Sequence, residues 1–284
     1  MTTFEKHIVI DQQTTIVQAI EQECQLSNQQ IKSAINKGAL WLTRGKYTQR
    51  LRRIKKPLKK SDTLHFYYNE TVLSQTPPKA KLIEDCHHYS VWYKPYGMLS
   101  QGSKWSDHCT IARWAETQLN PQRPAFIVHR LDRAATGLII VAHSKSAANA
   151  FSDLFENRAL EKTYHIICLG QFSAQESITV TEPIDGKKAT SHFNVLAYDE
   201  KRDLSLVEVT IETGRKHQIR KHAAYIGHPV FGDRLYNNLQ ANLTDNQNLQ
   251  LCAVKLNFTC PLIKEDKQFK LPTHLTPSMN ELVY

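Results

Sequence analysis

The sequence predicts an α+β fold, in which a domain built around a largely antiparallel mixed sheet follows a small α/β module. From residue 82 onward, strand-like runs come in groups with few of the helical crossovers that parallel strands require. The preceding stretch contains two short helical patterns and two strands, and Pro77-Pro78 then forces an extended backbone. We therefore place a module at 1–69, a linker at 70–81 and the larger domain at 82–284.

Helix signals and apolar alternation define the elements of the module. Ser27 and Gln30 have the spacing of a capping box, the apolar stripe of a helix follows them, and Gly38 ends it. A shorter helix is predicted after Thr14-Thr15. Strands are predicted at 39–42 and 63–68, on either side of a basic loop.

The larger domain reads mostly as strands with intervening helices. Apolar runs rich in β-branched and aromatic residues predict its strands, and apolar stripes at helical spacing predict its helices. The strands are predicted at 89–95, 137–144, 161–170, 191–199, 204–212 and 249–260, and the helices at 109–119, 146–158 and 214–227.

Composition narrows the class of protein. The 284 residues are 41% hydrophobic, which is typical of a folded globular chain. No apolar run approaches the roughly 20 residues that span a bilayer, and the first residues lack a secretory pattern, so we expect a cytoplasmic protein without a membrane. The six cysteines include no Cys-x-x-Cys pair, which favours reduced thiols. A monomer is expected, because no exposed apolar stripe is left over.

Positive charge is concentrated near the start of the chain. Residues 1–81 carry +8 of the net charge of +9, and Arg44–Lys60 contains nine basic residues and no acid. Such a run is either a solvated surface or a binding site for a phosphate-rich partner, since neutralised phosphates release counterions. The candidate contacts to that partner are Arg44, Lys46, Arg52 and Arg53.

One carboxylate stands out in the stretch "IVHRLDRAATGLIIVAHSKS". Asp132 lies between Arg130 and Arg133, and Gly137 allows a sharp turn before a buried strand. Flanking positive charge would favour the ionised carboxylate, as a nucleophile or base requires. The alternative is a surface Arg-Asp-Arg cluster, which contributes little energy.

Residues 213–236 form a second candidate region. His217 and His222 are five residues apart, a poor spacing for two ligands on one helix face, so no metal is predicted there. Arg215 and Arg220 instead provide donors for an anion or a nucleic acid. Elsewhere, Tyr164 could stack on a base from its strand, although a core position is the usual role of such a tyrosine. Lys94 lies where a strand meets a loop.

Together these stretches resemble the RluA-type pseudouridine synthases. The resemblance covers about 82–284 and rests on five motifs in the family's order: "KPYG", "HRLDRAATG", "EKTYHIICLG", "KKATSHFNVL" and "TGRKHQIRKHAAYIGHPVFGDRLY". It implies a pseudouridine-synthase-like catalytic domain in which Asp132 is the catalytic aspartate, Tyr164 the active-site tyrosine and Arg220 the basic partner of Asp132. The chain has Ala135-Thr136-Gly137 where the family has Thr-Ser-Gly, and Leu251-Cys252-Ala253 where it has Leu-His-Ala.

The resemblance also implies an isomerase that acts on RNA without a cofactor or a metal. The stretch "LSNQQIKSAINKGALWLTRGK" resembles the S-four type of RNA-binding domain, in which the second helix and the following loop touch RNA. Ribosomal RNA is the expected substrate and transfer RNA the alternative. RNA or base contacts are expected at Arg130, Arg133, Lys94, Arg215, His217 and the four basic residues of the module.

Three other interpretations remain open at this point. A catalytically silent RNA-binding protein would tolerate the loss of Asp132. A hydrolase of nucleosides or glycosides would need a second carboxylate paired with Asp132, and neither Glu161 nor Asp233 has an evident pairing. A metal-dependent nuclease would lose its activity to a chelator.

Overall fold

Two sheets organise the protein. The computed structural model describes residues 2–172, 177–237 and 247–279. In this part of the chain, a four-stranded sheet near the N-terminus is followed by a ten-stranded sheet, in which most neighbouring strands are antiparallel. The predicted α+β class, with a small sheet followed by a large and mostly antiparallel one, is confirmed.

The chain forms two compact units, and residues 101–118 pack with the first of them. The backbone N–H of Asp107 donates to the carbonyl of Lys37 at 3.1 Å, and the indole of Trp41 donates to the carbonyl of Lys104 at 3.1 Å. That 1–69, 70–81 and 82–284 act as module, linker and catalytic domain stays a prediction. The first unit comprises residues 1–77 and 101–118, and the second comprises residues 78–100 and 119–284.

The first unit joins short capped helices to its sheet. Its elements are β1 (Thr3–Val9), α1 (Ile16–Glu21), α2 (Asn28–Asn36), β2 (Leu40–Arg44), β3 (Tyr47–Arg50), β4 (Thr63–Asn69), α3 (Glu70–Leu73) and α4 (Ile111–Gln118). The strands are antiparallel in the order β1-β4-β2-β3. Thr15 caps α1 and Ser27 caps α2, and in both cases a glutamine three residues later completes a capping box. The box predicted at Ser27 is therefore present.

One apolar cluster holds these elements together. The helices bury isoleucines such as Ile20 and Ile35 against sheet residues such as Leu42 and Phe66. Each such side chain contributes about 1.5–3 kcal/mol relative to an exposed one. Strand β1 was not predicted, because Lys6 interrupts its apolar alternation.

The second unit is built on the large sheet. Its elements are β5 (Lys81–Asp85), β6 (Tyr89–Lys94), β7 (Phe126–Ile127), β8 (Thr136–Ala142), α5 (Lys145–Glu156), β9 (Leu160–Leu169), β10 (Ile178–Val180), β11 (Ser191–Asp199), β12 (Leu204–Ile211), α6 (Gln218–Tyr225), β13 (Leu251–Thr259) and β14 (Asp266–Lys270), with a short 3-10 helix at Thr273–Leu275. The strand order is β10-β11-β12-β9-β13-β8-β6-β5, with β14 on β13 and β7 on β8. All of these pairs are antiparallel except β13 with β8.

The parallel junction between β8 and β13 positions the loop that carries Asp132. Gly137 pairs with Ala253 and has φ +109°, and a Cβ placed on it would come within 2.3 Å of the Ala253 carbonyl oxygen. Only glycine allows this approach, because a side chain would strain the backbone and clash with the neighbouring strand. The point at which the loop joins β8 is therefore fixed.

Helix α6 is shorter than predicted. The sequence predicts a helix over 214–227, but the structure begins it at Gln218. The buried side chain of Gln218 accepts hydrogen bonds from the Arg215 amide at 3.1 Å and the Thr213 hydroxyl at 2.7 Å. These bonds hold residues 213–217 as a turn ahead of the helix.

Candidate active site

Asp132 lies in the loop between β7 and β8, and its side chain is 30% exposed. Its Oδ2 is 3.4 Å from Nη1 of Arg220, and its Oδ1 is 3.7 Å from Nε2 of His217. The loop is fixed from below by buried Ser100, whose hydroxyl donates to the Leu131 carbonyl at 2.7 Å and accepts from the Leu131 amide at 3.0 Å. The carboxylate is thus accessible, while the backbone beside it is held.

A second carboxylate orients Arg220. The guanidinium is 6% exposed and donates from Nε and Nη2 to the two oxygens of Asp233, at 2.7 Å each. Burial alone would raise the pKa of Asp233, but the bonds from Arg220 and from two backbone amides outweigh it and the pKa is lowered. The bidentate pair leaves Nη1 of Arg220 free to face Asp132.

Tyr164 is buried on β9, opposite Val209 of β12 and Ala253 of β13. Burial raises the pKa of its hydroxyl, and the negative charge of Asp132 raises it further. Its side chain is therefore a neutral phenol within the electrostatic reach of the carboxylate.

His217 lies at the start of α6 and contacts Tyr236. Its Nδ1 is 2.9 Å from the Tyr236 hydroxyl, and the two rings meet edge to face with centroids 5.7 Å apart. The Tyr236 ring also lies beside the guanidinium of Arg220, 5.1 Å from its centroid. Both side chains thus belong to the surroundings of Asp132.

Lys94 is fully buried at the end of β6. Its ammonium donates to the carbonyls of Met98 at 2.9 Å, Pro95 at 3.3 Å and Arg133 at 3.4 Å. Burial lowers the pKa of Lys94 to about 7, although the charge of Asp132 opposes the shift. In this position Lys94 fastens the loop after β6 to the loop that carries Asp132.

The other predicted contacts of this region have polar partners or exposed side chains. Arg130 and Arg133 are exposed on either side of Asp132, and Nε of Arg133 donates to the Gly97 carbonyl at 3.3 Å. Arg215 is half-buried and donates to the Lys188 carbonyl at 3.1 Å. The contacts of Asp132 are made with Arg220 of α6 and with His217 of the turn before it.

The four basic residues predicted to contact RNA from the first unit divide into two groups. Arg44 forms a bidentate pair with Asp62, at 2.8 and 2.7 Å, and Arg52 pairs with Asp107. Lys46 and Arg53 have exposed side chains. The first pair of residues therefore fixes loop structure, while the second pair presents charge to the solvent.

Sequence reasoning missed the roles of Asp233 and Tyr236. Asp233 was considered only as a second acid, whereas the structure uses both of its oxygens to hold Arg220. One signal was available: a buried arginine requires a carboxylate partner, and "GDRLY" supplies one shortly after α6.

Neither a metal-binding cluster nor a membrane-spanning helix is found among the residues that the structure describes. Among them, no three His, Cys, Asp or Glu side chains gather in a way that could hold a metal ion. No helix in that part of the chain is long and apolar enough to cross a membrane.

Comparison with known proteins identifies the family to which the chain belongs. The profile of a family described as RNA pseudouridylate synthase matches residues 88–225. An uncharacterized RNA pseudouridine synthase of Bacillus subtilis, YjbO, is 30% identical over 232 residues, which cover 76% of this chain and 79% of that protein. The chain belongs to the RNA pseudouridine synthase family. The predicted activity class, an isomerase that acts on RNA, is thereby confirmed.

Further relatives place the chain among the RluA-type members of the family. The dual-specificity RNA pseudouridine synthase RluA of Vibrio parahaemolyticus is 27% identical, with 74% of this chain and 89% of that protein covered. Ribosomal large subunit pseudouridine synthase D of Vibrio vulnificus is 30% identical over 52% of both chains.

Solved structures agree on the fold. Human RNA pseudouridylate synthase domain containing 1 matches with a TM-score of 0.58 and 21% identity, over 70% of this chain and 86% of that chain. Human RNA pseudouridylate synthase domain containing 4 matches with a TM-score of 0.54 and 22% identity, over 69% and 90%. The fold of a pseudouridine synthase is therefore present.

Proposed function

We propose that this synthase converts specific uridines of structured RNA to pseudouridine with Asp132 as its catalytic carboxylate. The observation that carries the assignment is the placement of Asp132, a partly exposed carboxylate on a fixed loop that faces a buried and oriented arginine. Tyr164, buried on β9 within the electrostatic reach of Asp132, is the proposed active-site tyrosine.

The isomerisation needs little besides an oriented carboxylate. The bond from uracil N1 to the sugar breaks, the base rotates, and a bond from C5 to the same sugar carbon forms. N1 gains a proton and C5 loses one to water, so no oxidant, reductant or group donor is consumed. Asp132 could attack the sugar, add to the uracil or remove a sugar proton, and each route requires an ionised carboxylate.

The base must leave the RNA stack before it can reach Asp132. Extrusion of a nucleotide costs a few kcal/mol and is cheapest in loops, which makes a structured RNA with exposed loops a suitable substrate. In this proposal Tyr164 stacks on the extruded uracil, and Arg130 occupies the space that the base leaves.

Ribosomal RNA is the proposed target, and transfer RNA is the competing outcome. Relatives of the chain carry names of both kinds, including a ribosomal large subunit enzyme and a tRNA pseudouridine synthase C of Vibrio parahaemolyticus. We assign general RNA affinity to an S-four-like module at 1–69, with Lys46 and Arg53 as its exposed cations. The monomeric state and the cytoplasmic location stay predictions.

A hydrolytic alternative is disfavoured by the chemistry of Asp233. Paired-carboxylate hydrolysis needs a second acid that is free to give or take a proton. Asp233 accepts bonds from Arg220 on both of its oxygens. A hydrolase would also release free uracil, whereas an isomerase releases none.

The test uses cellular RNA labelled with tritium at C5 of uracil. Wild-type protein should release tritium to water, whereas Asp132→Asn, which keeps the shape of the side chain but has no negative charge, should bind RNA and release none. A rate for Asp132→Asn within about tenfold of wild type, roughly 1.4 kcal/mol of barrier, would overturn the role of Asp132. No release by wild type with intact RNA binding would favour a silent binding protein.

A further inference from the structure

The two oxygens of Asp132 face different partners. Oδ2 faces the guanidinium of Arg220, whose position Asp233 fixes. Oδ1 faces Nε2 of His217 at 3.7 Å, slightly beyond hydrogen-bond length. Contacts of catalytic groups are often long before substrate binds and shorten in the reacting complex. His217 is therefore placed to control the oxygen that Arg220 does not reach.

The backbone at His217 is held in an uncommon conformation. It has φ +56° and ψ +27°, in the left-handed region, and it precedes α6 without forming a side-chain cap. A residue with a Cβ is disfavoured there, and such conformations cluster at functional sites. His217 forms no side-chain capping bond that would offset the cost of this conformation. What the conformation does provide is the position of the imidazole ring.

The hydrogen bond between the Tyr236 hydroxyl and Nδ1 of His217 is linked to the question of which ring nitrogen carries the proton. Burial lowers the pKa of His217, the charges of Arg220 and Lys216 lower it further, and those of Asp132 and Asp233 oppose the shift. The lowered pKa favours a neutral ring at neutral pH, with a single N–H. If Tyr236 donates to Nδ1, the N–H is on Nε2 and points at Oδ1 of Asp132. The other tautomer would direct a lone pair at a carboxylate, which is repulsive.

The turn that positions Arg220 also positions Tyr236. The backbone amides of Leu235 and Tyr236 donate to Oδ1 of Asp233, at 2.8 and 3.2 Å. The Tyr236 ring contacts both the ring of His217 and the guanidinium of Arg220. A single turn, 233–236, thus supports the partners of both oxygens of Asp132.

From this geometry we propose that His217 is a positioning residue for Asp132 and that Tyr236 fixes its tautomer. This proposal rests on the proposed function of Asp132. Arg220 and His217 together would fix the rotation of the carboxylate, so that one oxygen is presented to the nucleotide in a single orientation. Both residues would act through Asp132, and neither is required to touch the RNA.

Three variants separate the parts of this arrangement. His217→Gln retains an N–H near the position of Nε2. His217→Asn suits the left-handed backbone but is too short to reach Asp132. Tyr236→Phe retains the ring beside Arg220 and removes only the hydroxyl. The matched control is Tyr225→Phe, because Tyr225 ends α6 and is 65% exposed.

The kinetic test measures tritium release at saturating RNA, together with the dissociation constant for RNA. Loss of an outer partner that orients a metal-binding side chain typically costs about 10–100-fold in activity. By analogy, we expect a loss of that size for His217→Asn, with RNA binding within twofold of wild type. His217→Gln should recover most of the rate, and Tyr225→Phe should match wild type. Tyr236→Phe should also be slower than wild type. The double variant with His217→Asn should be no slower than His217→Asn alone, because both substitutions remove the same contact.

A second readout requires no turnover. Nitrogen-15 spectra of the histidine side chains, with His217 assigned from the His217→Asn spectrum, report which ring nitrogen is protonated. Wild type should show the N–H on Nε2, and Tyr236→Phe should show a mixture of tautomers. An N–H on Nδ1 in wild type would overturn the proposal whatever the enzyme's activity.

The outcomes distinguish this proposal from that for Asp132. If Asp132→Asn retains activity, the proposed function fails while the tautomer result still stands. If His217→Asn weakens RNA binding and leaves the rate at saturation unchanged, His217 is an RNA contact and the positioning role is wrong. Full activity and unchanged binding in His217→Asn would also exclude the role.

Discussion

At the residue scale, the charge that surrounds Asp132 comes from a distant part of the chain. Arg130 and Arg133 are its neighbours in sequence, but it forms its ion pair with Arg220 and faces the ring of His217, 88 and 85 positions away along the chain. Arg220 lies between two carboxylates and forms shorter bonds with the more buried one, Asp233. Because Asp233 neutralises the buried guanidinium, Asp132 need not be fixed as tightly and its carboxylate remains available to a nucleotide.

The buried ring of His129 predicts how the stability of the folded protein changes in acid. The ring of His129 stacks on Phe155 with centroids 4.4 Å apart, and its Nε2 accepts the Ile140 amide at 2.9 Å. Burial lowers the pKa of His129 to about 3, and Lys162 contributes in the same direction. Between about pH 3 and the ordinary value near 6.5, the unfolded chain binds a proton here that the folded chain does not. This difference makes stability fall as the pH falls through that window.

The matched variant is His129→Gln, which keeps an acceptor for the Ile140 amide and does not titrate. Its free energy of unfolding should fall less steeply between about pH 6.5 and 3, by up to about 1.4 kcal/mol per pH unit, the slope for one proton. Urea unfolding at several pH values measures the slope. Equal slopes for wild type and variant would mean that His129 takes up its proton at the same pH in the folded and the unfolded protein.

At the element scale, the catalytic loop depends on the parallel contact of β8 with β13. We expect Gly137→Ala to destabilise the second unit, because the new Cβ would lie 2.3 Å from the Ala253 carbonyl oxygen and the backbone has φ +109°. Overpacking typically costs about 1–3 kcal/mol, to which the strained backbone adds about 1 kcal/mol.

Gly186→Ala is the control for backbone strain alone. Gly186 also has a positive φ, of +71°, but nothing lies within 4 Å of a Cβ placed there. Urea unfolding should show a loss of about 1 kcal/mol for this variant and a clearly larger loss for Gly137→Ala. Equal losses would show that strand contact does not restrict position 137.

Local signals explain which elements could be predicted. The box at Ser27 and Gln30 and the apolar run Leu138–Ala142 identify their helix and strand without tertiary information. Strand β1 lacks such a local signal, because Lys6 interrupts its apolar alternation and its pairing partner β4 lies far away along the chain. The shorter α6 depends on the side chain of Gln218, whose partners Thr190 and Ser191 lie on or beside another strand.

The residues of the candidate site also differ in whether the sequence could assign them. Asp132, Tyr164 and Arg220 were assigned through motifs that resemble a known family. In the structure Arg220 faces Asp132, and Tyr164 is buried within the electrostatic reach of Asp132. Composition and spacing alone left Asp132 open to a surface-cluster interpretation. The function of Tyr236 could not be assigned before the fold was known, because it acts on the side chain of His217 in the turn before α6. For Asp233 the sequence offered one signal, the need of a buried arginine for a carboxylate partner.

At the scale of the whole molecule, less of the positive charge near the N-terminus is available to RNA phosphates than the sequence suggests. Arg44 and Arg52 pair with acids of the first unit, and Arg50 lies over the Trp41 ring and is paired with Asp107. Charges used in this way neutralise few phosphates. The exposed cations of the basic stretch are Lys46, Arg53, Lys55, Lys59 and Lys60.

This division predicts how RNA binding responds to salt. Each phosphate contact contributes about 0.7–0.9 to the slope of log affinity against log salt concentration, so Lys46→Gln with Arg53→Gln should lower the slope by about 1.4–1.8. The rate of tritium release at saturating RNA should not change, because neither residue is part of the site around Asp132. Filter binding of labelled RNA at several salt concentrations measures the slope.

The control for this experiment removes the same charge from the second unit. Lys201 and Lys270 are exposed there, and their replacement by glutamine lowers the net charge by the same amount. If position matters, this pair should leave the slope nearly unchanged, because general electrostatic attraction is screened within about 10 Å at 0.1 M salt. Equal losses from the two pairs would mean that RNA responds to the net charge of +9 as a whole. The exposed part of the basic stretch would then lose its assignment as an RNA-binding surface.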